Sequence, residues 1–179
     1  MSDTLWRPMT ATDLPAVMAV AGVVHPDYPE DAAVFAERLR LFPDGCLVLE
    51  QRDGLRGYVV SHPWHRAAPP ALNSLLGGLP VQAGSFYIHD LALLPSARGS
   101  GAGGTIVARL VQIAARAGLP CLSLVAIDGS SGFWGRQGFH ELHDPALAAK
   151  LASYDDAARY MERELVPEDE TTEEGRTTP

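Results

Sequence analysis

The chain has 179 residues, 46% hydrophobic and 20% charged, which is the make-up of one globular domain with its own core rather than of a disordered chain. Its net charge of −8 excludes the basic footprint expected of a nucleic-acid binder. Half of that charge lies in "PEDETTEEGRTTP", where five acids face Arg176, so residues 1–166 read as the domain and 167–179 as an acidic flexible tail.

"LWRPMT" reads as a weak strand and ends at the cap-like "TATD". "DLPAVMAVAGVV" follows as a helix, with Asp13 near its start and Pro15 in its first turn. After the turn-rich "HPDYPE", Val34, Phe35, Leu39 and Phe42 give "DAAVFAERLRLF" a helical stripe. "CLVLEQRDGLRGYVVSH" holds two β-rich runs around Arg52-Asp53-Gly54, a hairpin. The stretch 63–84 carries Pro63, Pro69, Pro70 and Pro80; it is either a functional loop with a short helix or a disordered insertion. "SFYIHDLALL" is a strand, and a helix runs from about Gly101 to Ala117 on Val107, Leu110, Val111 and Ala114. "PCLSLVAI" fits a buried parallel strand. "DGSSGFWGRQ" then gives a loop and short helix, "GFHEL" a strand, "PALAAKLASY" a short helix and "ARYMERELV" a closing strand. The order is that of a mixed α/β domain with one βαβ crossover. The N-terminus shows no basic-then-apolar leader, and no apolar run approaches a bilayer span. Cys46 and Cys121 stand alone in apolar runs as reduced thiols. A cytoplasmic protein without a membrane or nucleic-acid partner is expected.

"LLPSARGSGAGGTIVARL" carries the chemistry. Glycines between a strand and a helix let the backbone approach a ligand, and the helix N-terminus favours an anion there. A phosphate or pyrophosphate at 98–104 is therefore expected. A Walker loop is excluded, because no Lys-Ser or Lys-Thr follows. Gly99, Gly101 and Gly104 fit a dinucleotide fingerprint, with Asp128 where a ribose-binding acid would stand. Against it, antiparallel elements precede the motif, only one crossover is visible, and Arg98 has no place in it.

Arg98-Gly99-Ser100-Gly101-Ala102-Gly103 matches R-x-x-G-x-G/A, "LAL" precedes it, and "FWGRQGF" follows at 133–139. In these motifs and in element order the chain resembles the GNAT superfamily of acyl-CoA-dependent N-acetyltransferases. The resemblance implies a mostly antiparallel twisted sheet with flanking helices and one central βαβ acyl-CoA-binding unit. It implies acetyl-CoA as co-substrate without a metal, and direct attack by a primary amine of a small molecule or peptide. It implies that the backbone of Leu91, Ala92 and Leu93 pairs with the pantetheine arm. Arg98, Gly99, Ser100, Gly101, Ala102 and Gly103 would hold the pyrophosphate, and Trp134 would lie beside the thioester. A homodimer is compatible with it. Three positions depart from the family pattern: Trp134 replaces a tyrosine that protonates the leaving thiolate, Ile127 replaces an asparagine, and Tyr87 stands where some relatives carry a glutamate base. A non-catalytic acyl-CoA-binding module therefore stays open as the alternative.

The catalytic candidates are His89, Asp90 and Tyr87. A histidine titrates near neutrality without tuning, so His89 is the favoured base, with Asp90 next and Tyr87 positioning the substrate. Strict alternation puts Tyr87 and His89 on one face and Asp90 on the other, unless a bulge intervenes. His62, Trp64 and His65 are candidates for the acceptor site, where an aromatic ring would suit an amine cation. The pairs His62/His65 and His140/His143 have spacings that fit no metal site on a strand.

Overall fold

A computed structural model describes residues 5–166; the acidic segment 167–179 lies outside the described residues. Seven strands form one sheet: β1 (Leu5–Pro8), β2 (Cys46–Gln51), β3 (Gly54–Trp64), β4 (Ser85–Leu93), β5 (Cys121–Ala126), β6 (His140–Glu141) and β7 (Arg159–Glu164). Their order across the sheet is β1-β2-β3-β4-β5-β7-β6, and β4 with β5 is the one parallel pair among the described residues. The helices are α1 (Leu14–Val24), α2 (Ala32–Leu41), α3 (Ala102–Arg116), α4 (Ser131–Arg136) and α5 (Pro145–Leu151). This is the mixed, mostly antiparallel sheet with flanking helices that the family resemblance implies.

Period-two alternation divides the sheet between two cores. Leu47, Leu49, Val59, Phe86 and Ile88 face Ile106, Val107 and Leu110 of α3 and Trp134 of α4. Cys46, Val48, Tyr58 and Val60 face Val17 and Val20 of α1 and Phe35 of α2. Cys46 and Cys121 are buried free thiols, and burial pushes the Cys46 thiol up to about 12. A strand spends its alternate residues on two apolar layers here, so each short run reads as apolar throughout.

The expected strand "GFHEL" shortens to His140–Glu141, because Gly138 turns at φ +85° and Phe139 dives into the α3-side core. The stretch 65–84 contains no helix, yet it is fastened at many points. Glu37 accepts the backbone N–H groups of Leu76 (2.6 Å) and Gly77 (3.0 Å), and Arg38 Nη1 donates to Ser74 O at 2.8 Å. Trp64 Nε1 donates to Ala68 O at 2.9 Å, and Ala67 N donates to the Tyr160 hydroxyl at 2.9 Å. Side chains on helices and strands thus satisfy backbone groups that a loop cannot pair internally. The result is a strap laid over the α2 end of the sheet.

Candidate functional site

The site begins where the parallel ladder stops. β4 and β5 pair only at Phe86↔Leu122, Tyr87↔Ser123 and Ile88↔Leu124. Beyond Ile88, β4 continues against β3 to Leu93, while β5 continues against β7 to Ala126. The two strands therefore part and leave backbone groups on facing edges without a ladder partner. The cause is visible in the β3–β4 register, which steps from Val60↔Asp90 to Ser61↔Ile88 and leaves His89 as an extra residue. Such a bulge bends its strand.

The space between the strands is a cleft of about 930 Å³. Leu91, Leu93, Leu124, Val125 and Ile127 line its walls, and Trp134 with Phe133 closes the α4 side. Trp134 stacks edge-on against Phe133 and Phe139, at centroid distances of 5.0 and 5.3 Å. At one end lies the glycine loop. Gly99 and Gly101 hold φ +76° and +85°, and a Cβ on either would enter open space rather than protein. Gly101 caps α3, whose first-turn N–H groups have no partner within the helix. Ser100 Oγ donates to Ala97 O at 2.7 Å, and Arg98 Nε donates to Leu93 O at 3.1 Å. Further in, Gly103 lies so close to the Phe133 ring that a Cβ would meet it at 3.0 Å. Trp6 Nε1 pins α3 through Ala102 O at 3.1 Å. The loop is a concave set of amides with a helix dipole behind it and Arg98 and Arg136 on its rim, a cradle for a phosphate-bearing ligand.

The other end of the cleft is acidic and holds a histidine. His25 closes α1, its N–H bonded to Ala21 O at 2.8 Å, and Pro26 prevents the helix from continuing. Its Nε2 lies 2.9 Å from Asp90 Oδ1, and its Nδ1 lies 3.8 Å from Asp128 Oδ2. Burial disfavours the imidazolium, but Asp90 and Asp128 outweigh it, so the His25 pKa is raised. The Tyr58 hydroxyl donates to Asp90 Oδ2 from the floor of the α1-side core. Burial and the Asp90 charge keep that phenol protonated, well above its ordinary value. Asp128 holds φ +53°, uncommon outside glycine, at the lip of the cleft, with Asp27 also lining it.

The bulge places Tyr87, His89 and Asp90 all toward the α1/α2 side of the sheet, but their surroundings differ. Asp90 reaches His25 at the cleft. The His89 side chain is only 6% exposed, and its Nε2 meets Glu30 Oε1 at 2.7 Å. Tyr87 is buried beneath the strap beside Tyr154 and His62, with ring centroids 5.8 Å apart for the His62 pair. His62 is fully buried, its Nδ1 2.9 Å from Pro63 O, and burial pulls its pKa down to about 3. Trp64 is half-buried at the end of β3 and His65 is exposed; neither they nor His62 line the cleft. His140 and His143 are both exposed around β6, away from the cleft.

His25 stands outside every motif of the sequence. Its signal was weak: a histidine before a proline in a turn-rich link. Only the fold brings it to a carboxylate on β4. Asp128, at the position a dinucleotide fingerprint would give to a ribose-binding acid, stands beside His25.

The sequence model of the Acetyltransferase (GNAT) family matches residues 5–139. No curated protein is similar enough in sequence to be matched. Solved structures are similar in fold. Ard1 from Thermoplasma volcanium superposes with a TM-score of 0.69 at 16% identity, over 92% of this chain and 99% of its own. The GphF GNAT-like decarboxylase in complex with isobutyryl-CoA gives 0.76 at 16% identity, over 90% of this chain and 100% of its own. N-acetylglutamate synthase from Neisseria gonorrhoeae, complexed with coenzyme A and N-acetyl-glutamate, gives 0.63 at 16% identity, over 93% of this chain and 36% of its own.

Proposed function

The chain belongs to the GNAT acetyltransferase family, and from that premise we propose that it moves an acetyl group from acetyl-CoA to a primary amine of a small molecule or peptide. The observation that carries this reading is the single cleft with two unlike ends. A phosphate cradle with arginines on its rim lies at one end, and Asp27, Asp90, Asp128 and His25 lie at the other. The parted edges of β4 and β5 run between them. Structural neighbours in complex with CoA or an acyl-CoA support the choice of co-substrate.

In this reading the amides from Gly99 to Gly103 and Arg98 hold the pyrophosphate. The free edge of Leu91–Leu93 receives the pantetheine amides as a neighbouring strand would. Leu124, Ile127 and Trp134 give the thioester dry walls. The acceptor enters as an ammonium drawn to the carboxylates. It loses a proton, and its nitrogen attacks the acyl carbon to form a C–N bond. A second proton leaves the nitrogen as the C–S bond breaks. Of the two protons released, one returns to the thiolate and the other goes to solvent. Trp134 has no acidic proton to supply, so water at the open mouth of the cleft protonates the thiolate.

The test has two parts. Acetyl-CoA at 100 times its Kd should stabilise the fold by about 2.7 kcal/mol, seen as a higher Tm, while NADH should leave it unchanged. Thiol release from acetyl-CoA should then depend on added benzylamine, spermidine or an N-terminally free tripeptide. Stabilisation by acetyl-CoA without thiol release for any amine would identify a non-catalytic acyl-CoA-binding module.

A further inference from the structure

We propose that His25 is the general base for the acceptor amine, with Asp90 and Tyr58 as positioning residues behind it. The inference rests on the acyl-transfer reading and names a group at that site which its sequence motifs do not contain.

The geometry is that of a relay with three ordered members. Tyr58 is fully buried and donates to one oxygen of Asp90. The other oxygen of Asp90 lies 2.9 Å from His25 Nε2. Both ring nitrogens of His25 are buried and neither has a hydrogen-bond partner among the described residues, so the ring sits beside the Asp90 charge with Nδ1 left for an incoming donor. Nδ1 faces Asp128 Oδ2 at 3.8 Å, too far for a hydrogen bond and near enough for one ammonium placed beside the pair to contact both. His25, Asp90 and Asp128 all line the cleft, whereas Tyr58 does not. The charged groups facing His25 are thus Asp90 from β4 and Asp128 from the link after β5, with Asp27 on its own segment.

The proton steps balance without any further reactant. Asp128 holds the acceptor ammonium against Nδ1. Nδ1 takes one proton from it, and the neutral nitrogen attacks. The imidazolium that forms is stabilised by Asp90 and passes its proton to solvent. His25 must be neutral to begin, so the rate falls at low pH as it protonates. Its raised pKa places that acidic limb above the ordinary histidine value. His89 also lines the cleft, but its Nε2 is hydrogen-bonded to Glu30 at 2.7 Å, whereas both His25 nitrogens lack a hydrogen-bond partner among the described residues.

The experiment measures the pH–rate profile of thiol release from acetyl-CoA with benzylamine, spermidine and the tripeptide, in wild type and three variants. His25→Gln should lower kcat about a hundredfold or more and abolish the acidic limb, with the KM for acetyl-CoA unchanged. Asp90→Asn removes the charge that favours the imidazolium, so its limb should move to lower pH. Tyr58→Phe removes the donor that shares the Asp90 charge, so its limb should move to higher pH. A purely structural role for Tyr58 would not move the limb. In parallel, NMR titration of the His25 ring in the CoA-bound protein should show its pKa falling in Asp90→Asn. A limb that survives in His25→Gln, or a His25 pKa that Asp90→Asn leaves in place, overturns the inference. Failure of wild type to release thiol with any of the amines overturns instead the function on which it rests.

Discussion

His62 and His25 are two histidines in one domain whose surroundings push them in opposite directions. His62 is buried, and desolvation outweighs the Pro63 carbonyl and the Glu37 charge, so its pKa falls to about 3. Between that value and the ordinary 6.5, the unfolded chain binds a proton that the folded chain refuses. Stability is therefore full above 6.5 and is lost as the pH falls toward 3, by up to about 1.4 kcal/mol per pH unit. His25 has a raised pKa, so its contribution is full below 6.5 and is lost as the pH rises through its folded value. From pH 6.5 to about 5 the loss belongs mainly to His62. The lowered carboxylates Asp13, Glu37, Glu50 and Asp155 lose their contributions only as the pH falls through their ordinary values of 3.8 to 4.5 and below. The lower part of the interval, down to 4.5, adds a smaller share from them. Urea midpoints should fall across that interval in wild type and fall much less in His62→Phe. An equal fall in both would show that another group carries the loss.

Elements were legible where periodicity set them. Both amphipathic helices, the β2–β3 hairpin and α3 could be read because apolar residues recur at a spacing that one layer of core requires. The strap could not be read, since its order comes from Glu37, Arg38, Trp64 and Tyr160, each remote from it or acting across it, and side chain to backbone bonds leave no period. The same reason hid His25: its partner Asp90 is on another element, and no spacing within α1 announces it. The glycine loop lay between these extremes. Its residue types marked an anion cradle, and its positive φ angles explain why glycine stands at 99 and 101. That explanation can be tested against backbone strain. Gly54 in the β2–β3 turn holds φ +127° and also has open space around it, but it lies away from the cleft. Gly101→Val and Gly54→Val should each lower Tm, because a β-branched residue at positive φ is strained. Only Gly101→Val should also lose the Tm rise caused by acetyl-CoA. Equal stabilisation of both variants by acetyl-CoA would move the pyrophosphate elsewhere.

At the scale of the whole molecule, the sheet is two ladders joined at a seam of three residue pairs. β1 to β4 form one and β5 to β7 the other, and α3 crosses between them. Amides on the parted edges lack a partner in the free protein, so they should exchange quickly with solvent. If acyl-CoA occupies the cleft as the missing neighbour, hydrogen exchange in segments 89–93, 99–104 and 125–128 should slow on its addition. The strap at 65–84 should not change. Slowing spread evenly over the whole chain would mean that the ligand stabilises only the global fold and leaves the seam as it was.

The extra residue at position 89 has an arithmetic of its own. Phe86 and Ile88 point to the α3 layer before it, and Leu91 and Leu93 point to the same layer after it. Ala92 points to the α1 layer, as does Asp90, which accepts from Tyr58 there. Striking out His89 would leave the inward and outward assignments of every neighbour intact, so the strand has a shorter spelling that satisfies both cores. Neither apolar cluster includes the added letter, whose side chain hydrogen-bonds to Glu30. What it changes is direction: past Ile88 the strand bends away from its parallel partner, and a closed sheet acquires an opening. The capacity to admit a ligand is thus encoded as chain length at a single point, separately from the side chains that would act on what enters.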